Sequence, residues 1–403
     1  MKRFDVAVVG GGLAGTVAAL AFARYGFSTA HIAPPPPAND ERTTALMESS
    51  LAFLSELGLI ERVLPLGAAL RTMRIIDGTK RLFRAPTVSF RASEIGLEAF
   101  GYNFPNAPFL KALAEAATEE PTLTILPQAV TGARIGTAGN HLTLADGEEI
   151  EASLLLGADG RRSLVREAAG IAVRRTPYPQ TALVLNFTHT LHHDDISTEF
   201  HTETGPCTQV PLGFKRSSLV WVVSPEDARN LVDMTMEALN RRIEERLGSM
   251  LGAVSIEAMP QAWPLSAETA ERFGRDGAVL VGEAAHVFPP IGAQGLNLSL
   301  RDIRSAVTLA RDARTAGQPL QIGDAYDRMR RTDIVSRTAS IDVLNRSLLS
   351  GFLPVHMLRA VGLQLLSSVP PLRQIAMHEG IAPGRSLKVL PEMLRRGLSR
   401  RRA

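Results

Sequence analysis

The sequence predicts an α/β fold in which a β-rich unit is inserted into a discontinuous domain built on a parallel sheet. Three observations support this fold class. A strand, a helix and a second strand follow one another at the N-terminus, and segments typical of β-strands dominate residues 176–270. A buried-strand pattern followed by a helix then returns near residue 277, which indicates that the first domain resumes after the insertion.

The N-terminal elements are expected to form one β-α-β unit. Residues 4–9 are an apolar, β-branched run typical of a buried strand, residues 13–25 are an alanine-rich helix, and residues 28–32 are a second strand. This order predicts a parallel sheet. Residues 44–60 carry leucines at helical spacing with a glycine near the end, and we expect a helix there.

The elements up to residue 160 continue the alternation. Residues 107–118 are expected to form a helix, and residues 123–127 and 141–152 are expected to form strands. Asp146-Gly147 is a strong signal for a tight hairpin inside the second of these segments. Residues 153–160 are a strand that ends in a turn.

The later elements define the expected domains. Residues 234–248 form a predicted helix, residues 277–282 a predicted buried strand, and a further helix begins near Gly295. The first domain is expected to comprise residues 1–75, 101–175 and 271–340. The second is expected to comprise residues 76–100 and 176–270, and residues 341–403 a helical region with a basic tail.

The composition excludes several classes of protein. Of 403 residues, 45% are hydrophobic and 21% are charged, which suits a large core and excludes wholesale disorder. With 44 basic and 41 acidic residues the net charge is only +3, so we expect no nucleic-acid partner. The single cysteine, Cys207, excludes a disulfide framework and a cysteine-ligated cluster, and it favours a cytoplasmic location. We expect neither a signal peptide nor a spanning helix.

The first motif is a glycine-rich turn between the predicted first strand and helix. Gly10, Gly12 and Gly15 supply the G-x-G-x-x-G pattern of dinucleotide-binding, Rossmann-like domains. The glycines allow a tight turn, close approach to a pyrophosphate and close packing of helix on strand. The acidic residue that normally binds the ribose is absent, because the second strand ends in the residues His31 to Pro34.

Two further motifs follow strands. Residues 157–160 read Gly-Ala-Asp-Gly, a turn that places the carboxylate of Asp159 beside backbone or ligand groups. Residues 282–297 combine a carboxylate, a proline-rigidified turn and the start of a helix. Such a turn presents backbone N–H groups and a helix dipole to a flat ligand that carries negative charge.

Together these motifs resemble those of the FAD-dependent aromatic hydroxylases, the group A flavoprotein monooxygenases. Within this group the chain most resembles the ubiquinone-biosynthesis hydroxylases, over nearly its whole length. The supporting segments are residues 40–46, 263–265, 294–298, 363–371 and 377–383.

The resemblance implies a glutathione-reductase type FAD-binding domain, with NAD(P)H as co-substrate and O₂ as oxidant. It places Arg42 at the pyrophosphate, Glu283 at a ribityl hydroxyl, and the turn after Pro290 beside the flavin ring. Catalytic roles are assigned to Pro290, Gly292, Gln294 and Gly295. Cofactor-binding roles are assigned to Gly10, Gly12, Leu13, Ala14, Gly15, Arg42, Val130, Asp159, Gly282, Glu283, Pro290, Gly295, Leu296 and Asn297.

This sequence departs from the family pattern at three positions. Glu283 replaces an aspartate, and Ala293 and Ser299 replace glycines that are frequent there. The expected function is hydroxylation of an aromatic ring. The leading candidate for the substrate is a lipid-tailed, polyprenylated phenol in ubiquinone biosynthesis. The alternatives are hydroxylation of a small soluble aromatic and a flavin-bound accessory role in a biosynthetic complex.

Several histidines, the single cysteine and the C-terminal region are further candidates for a functional role. His189, His192 and His193 do not match an ordered metal-ligand pattern, so we expect a solvated loop and no metal. His286 is expected to be structural or to line the active site, and Cys207 to pack or line a pocket. The C-terminal region could either cover the core or dock peripherally on an anionic membrane, and the sequence favours neither.

Overall fold

The computed structural model describes residues 1–35, 40–79, 84–136, 139–289 and 294–349, together with residues 373, 374 and 377. Numbered along the chain, its strands are β1 (Lys2–Val9), β2 (Thr29–Ile32), β3 (Thr43–Met47), β4 (Ala68–Ala69), β5 (Thr72–Asp77), β6 (Val88–Arg91), β7 (Gly101–Pro105), β8 (Leu123–Leu126), β9 (Val130–Arg134), β10 (Asn140–Leu144), β11 (Glu149–Gly157), β12 (Val173–His189), β13 (Ile196–His201), β14 (Pro206–Pro211), β15 (Arg216–Val223), β16 (Val254–Ile256), β17 (Gln261–Ala270), β18 (Gly274–Arg275), β19 (Ala278–Leu280) and β20 (His286–Val287).

The helices of these residues include three short 3₁₀ turns, at Leu64–Leu66, Ala92–Ile95 and Gly282–Ala284. The α-helices are α1 (Leu13–Arg24), α2 (Glu48–Glu56), α3 (Ile60–Val63), α4 (Asn106–Thr118), α5 (Leu164–Ala168), α6 (Pro225–Val232), α7 (Met236–Arg246), α8 (Gln294–Thr315) and α9 (Gly323–Leu349). Within the described residues no helix is both long enough and apolar enough to span a membrane.

The first sheet has the strand order β18-β19-β11-β1-β2-β8, and β10 and β9 extend it from β11. Neighbours from β19 to β8 run parallel, which confirms the predicted parallel sheet. Helix α1 packs between α4 and α8 and buries every residue from Gly15 to Ala23. Its many alanines allow these close contacts, because a short side chain lets neighbouring backbones approach. The hairpin predicted at Asp146-Gly147 is confirmed between β10 and β11.

The helix predicted over residues 44–60 is wrong in its first part. Residues 43–47 form β3, which pairs antiparallel with β7 in a small three-stranded sheet, and the helix α2 begins only at Glu48. The leucine spacing is compatible with a helix, but the backbone of β3 finds partners in residues 101–105. Pairing with a strand far along the chain therefore overrides the local pattern.

The second sheet has the order β20-β17-β12-β15-β14-β13-β5-β6, with β16 beside β12. One face packs against α6 and α7, through core residues such as Leu185, Leu219 and Ile243. The opposite face, which we call the inner face, carries Ser218, whose hydroxyl accepts a 3.0 Å hydrogen bond from Thr43 in β3. The inner face therefore looks towards the domain of the first sheet.

The chain enters the second sheet twice, first through β5 and β6 and later through residues 173–270, with β20 at its edge. The residue limits given above for the two domains stay a prediction. The C-terminal region expected at residues 341–403 lies largely outside the described residues. Where it is described, Arg373 pairs with Glu94 at 2.6 Å and Met377 packs beside Phe90.

Cys207 lies on the helix-packed face of the second sheet and is completely buried. Burial raises the pKa of its thiol to about 12, so the thiol stays protonated at neutral pH. Of the two expected roles, packing is the one that this position supports.

Candidate functional site

The carboxyl ends of four parallel strands meet at one edge of the first sheet. Val9, the last residue of β1, pairs with Ile32 of β2 and with Gly157 of β11, and Gly157 pairs with Leu280 of β19. The three motifs of the sequence follow directly after β1, β11 and β19. The fold therefore brings them together at the edge where open α/β sheets bind ligands.

The glycine-rich turn after β1 is fixed by its contacts. Gly10 has φ +127°, and a Cβ there would lie 2.2 Å from the carbonyl oxygen of Ala158. A Cβ on Gly15 would lie 2.0 Å from the carbonyl oxygen of Gly10. No side chain fits at either position, so these two glycines are required by the fold itself.

Gly12 differs from its neighbours in the motif. It is the residue before α1, its φ is −79°, and a Cβ there would meet no atom of the described residues within 4 Å. The N–H groups of Leu13 and Ala14 lie in the first turn, where a helix has no internal partner for them. That turn holds no acidic residue. The result is an open, positively polarised helix end that suits a phosphate group.

Asp159 follows β11 and points one carboxylate oxygen into the same region. Its Oδ2 accepts a 3.2 Å hydrogen bond from the backbone N–H of Val165. Its Oδ1 is buried and has no hydrogen-bond partner in the part of the chain that the structure describes. A buried carboxylate oxygen without a donor is costly, so a ligand N–H or O–H group at this point would be stabilising.

Arg166 connects the second motif to the third, a role that the sequence analysis missed. The side chain is buried, with Nη1 donating to the carbonyl oxygen of Ala284 at 2.9 Å and Nη2 donating to that of Arg161 at 2.7 Å. Five guanidinium donors allow one side chain to join two turns. The basic residues after Asp159 were the only signal for it in the sequence.

The third motif begins with a turn that contacts the first. Gly282 has φ +62°, and a Cβ there would lie 3.4 Å from Cβ of Ala14. Glu283 is exposed and pairs with Arg161 at 3.4 Å between Oε2 and Nε. An exposed pair of this kind contributes little to stability, so the carboxylate can turn to a ligand at small cost.

Arg42 lies at the outer side of the site. Its Nε and Nη2 each donate to one oxygen of Asp40 at 2.8 Å, and its guanidinium lies 5.7 Å from the ring centre of Trp263. Burial disfavours ionisation of Asp40, but hydrogen bonds from Arg42 and its charge outweigh burial and lower the pKa of that carboxyl. Glu283 lies near enough to add to the raised pKa of Arg42.

The start of α8 supplies the remaining predicted residues. Asn297 holds β3, since its Nδ2 donates to the carbonyl oxygen of Ala45 at 2.8 Å and its Oδ1 accepts from the N–H of Met47 at 2.9 Å. Gly295 is exposed, Gln294 is half-buried, and Leu296 packs against the main core. Pro290 and Gly292 lie outside the described residues.

Val130 begins β9 and packs against the same core. The preceding strand, β8, ends at Leu126, which pairs with Ile32 at the carboxyl edge. The second strand brings no carboxylate to this edge. Instead His31 places Nε2 3.0 Å from the carbonyl oxygen of Gly10, and burial lowers the pKa of this imidazole.

A buried charge network lies behind the third motif. His286 Nε2 is 2.6 Å from Asp302 Oδ2, and Asp302 Oδ1 accepts from Arg330 Nε at 2.8 Å. The side chains of His286 and Asp302 are 1% and 0% exposed. The network joins β20 to α8 and α9, so His286 has the structural role that was one of its two expected roles. Arg330 belongs to no sequence motif and could not have been found from one.

The histidines near the end of β12 are not all solvated, which corrects part of the expectation. His192 is exposed, but the side chain of His193 is 2% exposed, and His189 is buried with Nε2 2.9 Å from Ser217 Oγ. Among the residues that the structure describes, no group of three or more His, Cys, Asp or Glu side chains could hold a metal ion.

Acid should destabilise the protein through these buried histidines. Burial lowers the pKa of both His189 and His193, so both stay neutral in the fold at pH values where the unfolded chain binds protons. We therefore expect the free energy of unfolding to fall as the pH drops below about 6.5, the ordinary histidine pKa. Urea unfolding at pH 7.5 and 5.5 should show a smaller loss in His193→Gln than in wild type.

The exposed histidine provides the control for this experiment. His192→Gln should lose as much stability between the two pH values as wild type, because His192 is exposed and its replacement leaves both buried histidines in place. An identical loss of stability in wild type and His193→Gln would contradict the assignment to His193.

The sequence is similar to a known family and to characterised proteins. A family model for the FAD binding domain matches residues 3–338. The ubiquinone hydroxylase UbiL of Rhodospirillum rubrum is 31% identical, over 97% of this chain and 92% of that protein. The 3-demethoxyubiquinol 3-hydroxylase of Escherichia coli is 29% identical, over 93% of this chain and 97% of that protein.

Solved structures agree with the fold. The p-nitrophenol 4-monooxygenase PnpA from Pseudomonas putida has a TM-score of 0.79 at 17% identity and covers 96% of this chain and 100% of its own. PqsL of Pseudomonas aeruginosa, described as a probable FAD-dependent monooxygenase, has a TM-score of 0.76 at 21% identity, over 90% and 100%. At these identities the likeness concerns the architecture alone.

Proposed function

Because the chain belongs to the FAD-binding family of ubiquinone-biosynthesis hydroxylases, we propose that it hydroxylates the aromatic ring of a polyprenylated phenol, with FAD as cofactor and NAD(P)H and O₂ as co-substrates. The observation that carries the proposal is the meeting of the three motifs at one sheet edge, with an open helix end at Gly12 and the unpaired Oδ1 of Asp159.

The residues at this edge fit FAD. The first turn of α1, at Leu13 and Ala14, would face the pyrophosphate, and Arg42 would add a permanent positive charge beside it. Asp159 and Glu283 would accept hydrogen bonds from hydroxyl groups of the cofactor, because carboxylates only accept. The start of α8, at Gly295, would direct its positive end to the flavin ring.

FAD, when bound, supplies electron transfer from NAD(P)H and the activation of O₂. The protein has to hold the aromatic ring against the cofactor, exclude water and balance developing negative charge. The start of α8 and the inner face of the second sheet both contact β3, through Asn297 and Ser218 respectively. An aromatic ring placed between them would meet the flavin on one side and the sheet on the other.

Genetic complementation tests the function directly. We expect the chain to restore ubiquinone in an Escherichia coli strain that lacks its own 3-demethoxyubiquinol 3-hydroxylase, or to act at another ring position of the same pathway. The purified protein should be yellow, and a phenol should accelerate its oxidation of NADH or NADPH and be hydroxylated. Bound flavin that neither nicotinamide reduces, with or without a phenol, would instead indicate an accessory role.

A further inference from the structure

The inner face of the second sheet has an apolar centre that the rest of the described chain only half covers. Ile75, Val184, Val210 and Val220 alternate with residues that pack against α6 and α7, so all four point to the inner face. Each of the four is half-buried, whereas the helix-packed face is closed. An apolar surface of this kind suits an aromatic ring with an apolar chain.

A polar pair lies in this apolar setting. Glu199 and His201 alternate with Phe200, which faces the helices, so both side chains lie on the inner face. His201 Nε2 is 2.7 Å from Glu199 Oε1, and the hydroxyl of Thr208 donates to Glu199 Oε2 at 3.3 Å. The side chain of His201 is 9% exposed and that of Glu199 is 23% exposed. Removing such groups from water costs free energy, so a pair with a purely structural role would destabilise the fold at this position.

Strand register relates this pair to the residues of the second sheet that face the first domain. Glu199 pairs with Thr208, and Thr208 pairs with Val220, in one row across three strands. Val220 is two residues from Ser218, which bonds to Thr43 of β3. Glu199 is thus about 10 Å across the sheet from β15 and about 7 Å along it from the level of Ser218, and His201 lies two residues further along its strand.

We propose that Glu199 and His201 bind the phenol hydroxyl of the substrate and take up its proton. The proposal rests on the proposed function, because it presumes that the substrate is a phenol. Glu199 accepts the hydrogen bond of Nε2–H and so fixes the tautomer in which Nδ1 of His201 is the acceptor. The pair occupies the position of a general base, which the sequence alone did not reveal.

The proton balance of this step is simple. The phenol O–H bond breaks, its proton forms an N–H bond on His201, and the electron pair stays on the phenolate oxygen. The phenolate donates electron density into its ring, which makes the ring carbon a better nucleophile towards an electrophilic oxygen. The proton on His201 returns to the oxygen of the product as it leaves, while the proton of the substituted ring carbon is released to water.

Two variants and a matched control test the pair in the holoenzyme. His201→Gln and Glu199→Gln keep size and polarity, and His192→Gln removes an exposed histidine from a neighbouring loop. With 2-geranylphenol and NAD(P)H, we expect kcat for hydroxylated product to fall roughly 100-fold in the first two and to stay within about twofold of wild type in the control. FAD content and the unfolding midpoint should stay at wild-type values in all three.

A spectroscopic probe separates proton uptake from a merely structural role. At a pH where free 2-geranyl-4-nitrophenol is mainly protonated, the wild-type holoenzyme should bind it as the coloured phenolate. His201→Gln should bind it in the neutral form. A neutral probe in wild type, a phenolate in His201→Gln, or no binding to wild type would each overturn the proposal.

The two proposals fail in different ways. A wild-type protein that hydroxylates no phenol and complements no quinone-deficient strain would remove the proposed function. A wild-type protein that does so, with His201→Gln and Glu199→Gln equally active, would remove only the role of this pair.

Discussion

Replacing Gly12 by valine should leave the protein folded and abolish its binding of FAD. Among the described residues, a Cβ at Gly12 meets no atom within 4 Å, and its φ of −79° suits any residue, so no contact within that part of the chain requires a glycine there. We expect the requirement to come from the ligand, because in the proposed site a side chain would occupy the space of the pyrophosphate at the helix end. We expect the affinity for FAD to fall at least about 100-fold, which corresponds to roughly 2.7 kcal/mol.

The measurement is titration of apoprotein with FAD, followed by flavin fluorescence, alongside thermal unfolding without the cofactor. Gly15→Val is the informative comparison, because its Cβ would lie 2.0 Å from the carbonyl oxygen of Gly10. That variant should lose folded protein as well as cofactor. If Gly12→Val still binds FAD with wild-type affinity, the pyrophosphate lies elsewhere, and the assignment of this helix end as its binding site is wrong.

Removing the carboxylate of Asp302 should strongly destabilise the first domain. Asp302 is fully buried between His286 and Arg330, with distances of 2.6 and 2.8 Å to their nitrogens. Asp302→Ala would leave the buried guanidinium of Arg330 without its principal counter-charge. Breaking a buried ion pair in this way costs about 3 to 5 kcal/mol, and urea unfolding should show the loss.

An exposed ion pair provides the control for this loss of stability. Lys2 and Glu148 lie 2.9 Å apart, with Lys2 56% exposed, and Lys2→Ala should cost less than about 1 kcal/mol. Asp302→Ala should also weaken FAD binding, because the network joins β20 and α8, which both contain residues of the third motif. Equal stability of the two variants would show that the network contributes no more than a surface pair.

The sequence predicted the first domain well because its signals are local. The β-α-β unit and the glycine spacing lie within 32 consecutive residues, and each element follows from periodicity or from a turn residue. The glycine motif also predicted which helix end faces a phosphate, since strand, turn and helix are adjacent in the chain. The roles of Arg42, Val130, Glu283 and the start of α8 came from resemblance, and they stay predictions.

Contacts between distant segments were not predictable in this way. The helix expected from residue 44 became β3, because its partner strand lies more than fifty residues away. The cofactor role expected of Asn297 stays a prediction, and the bonds by which its side-chain amide holds β3 to α8 had no signal in the sequence. Arg330 reaches Asp302 from a helix without any motif.

The sequence by itself determined that this chain has a dinucleotide-binding turn, because glycine spacing and strand–helix order are encoded in contiguous residues. Its place among the flavin-dependent hydroxylases was implied by the resemblance of its three motifs to those of that family. Only the tertiary structure decided which side chains share the site. It left one carboxylate oxygen of Asp159 without a partner among the described residues, and it placed Glu199 and His201 together on an apolar face. The physical reason is that hydrogen bonding and burial depend on which surfaces meet, and strand register across a sheet sets that for residues whose local patterns carry no such information.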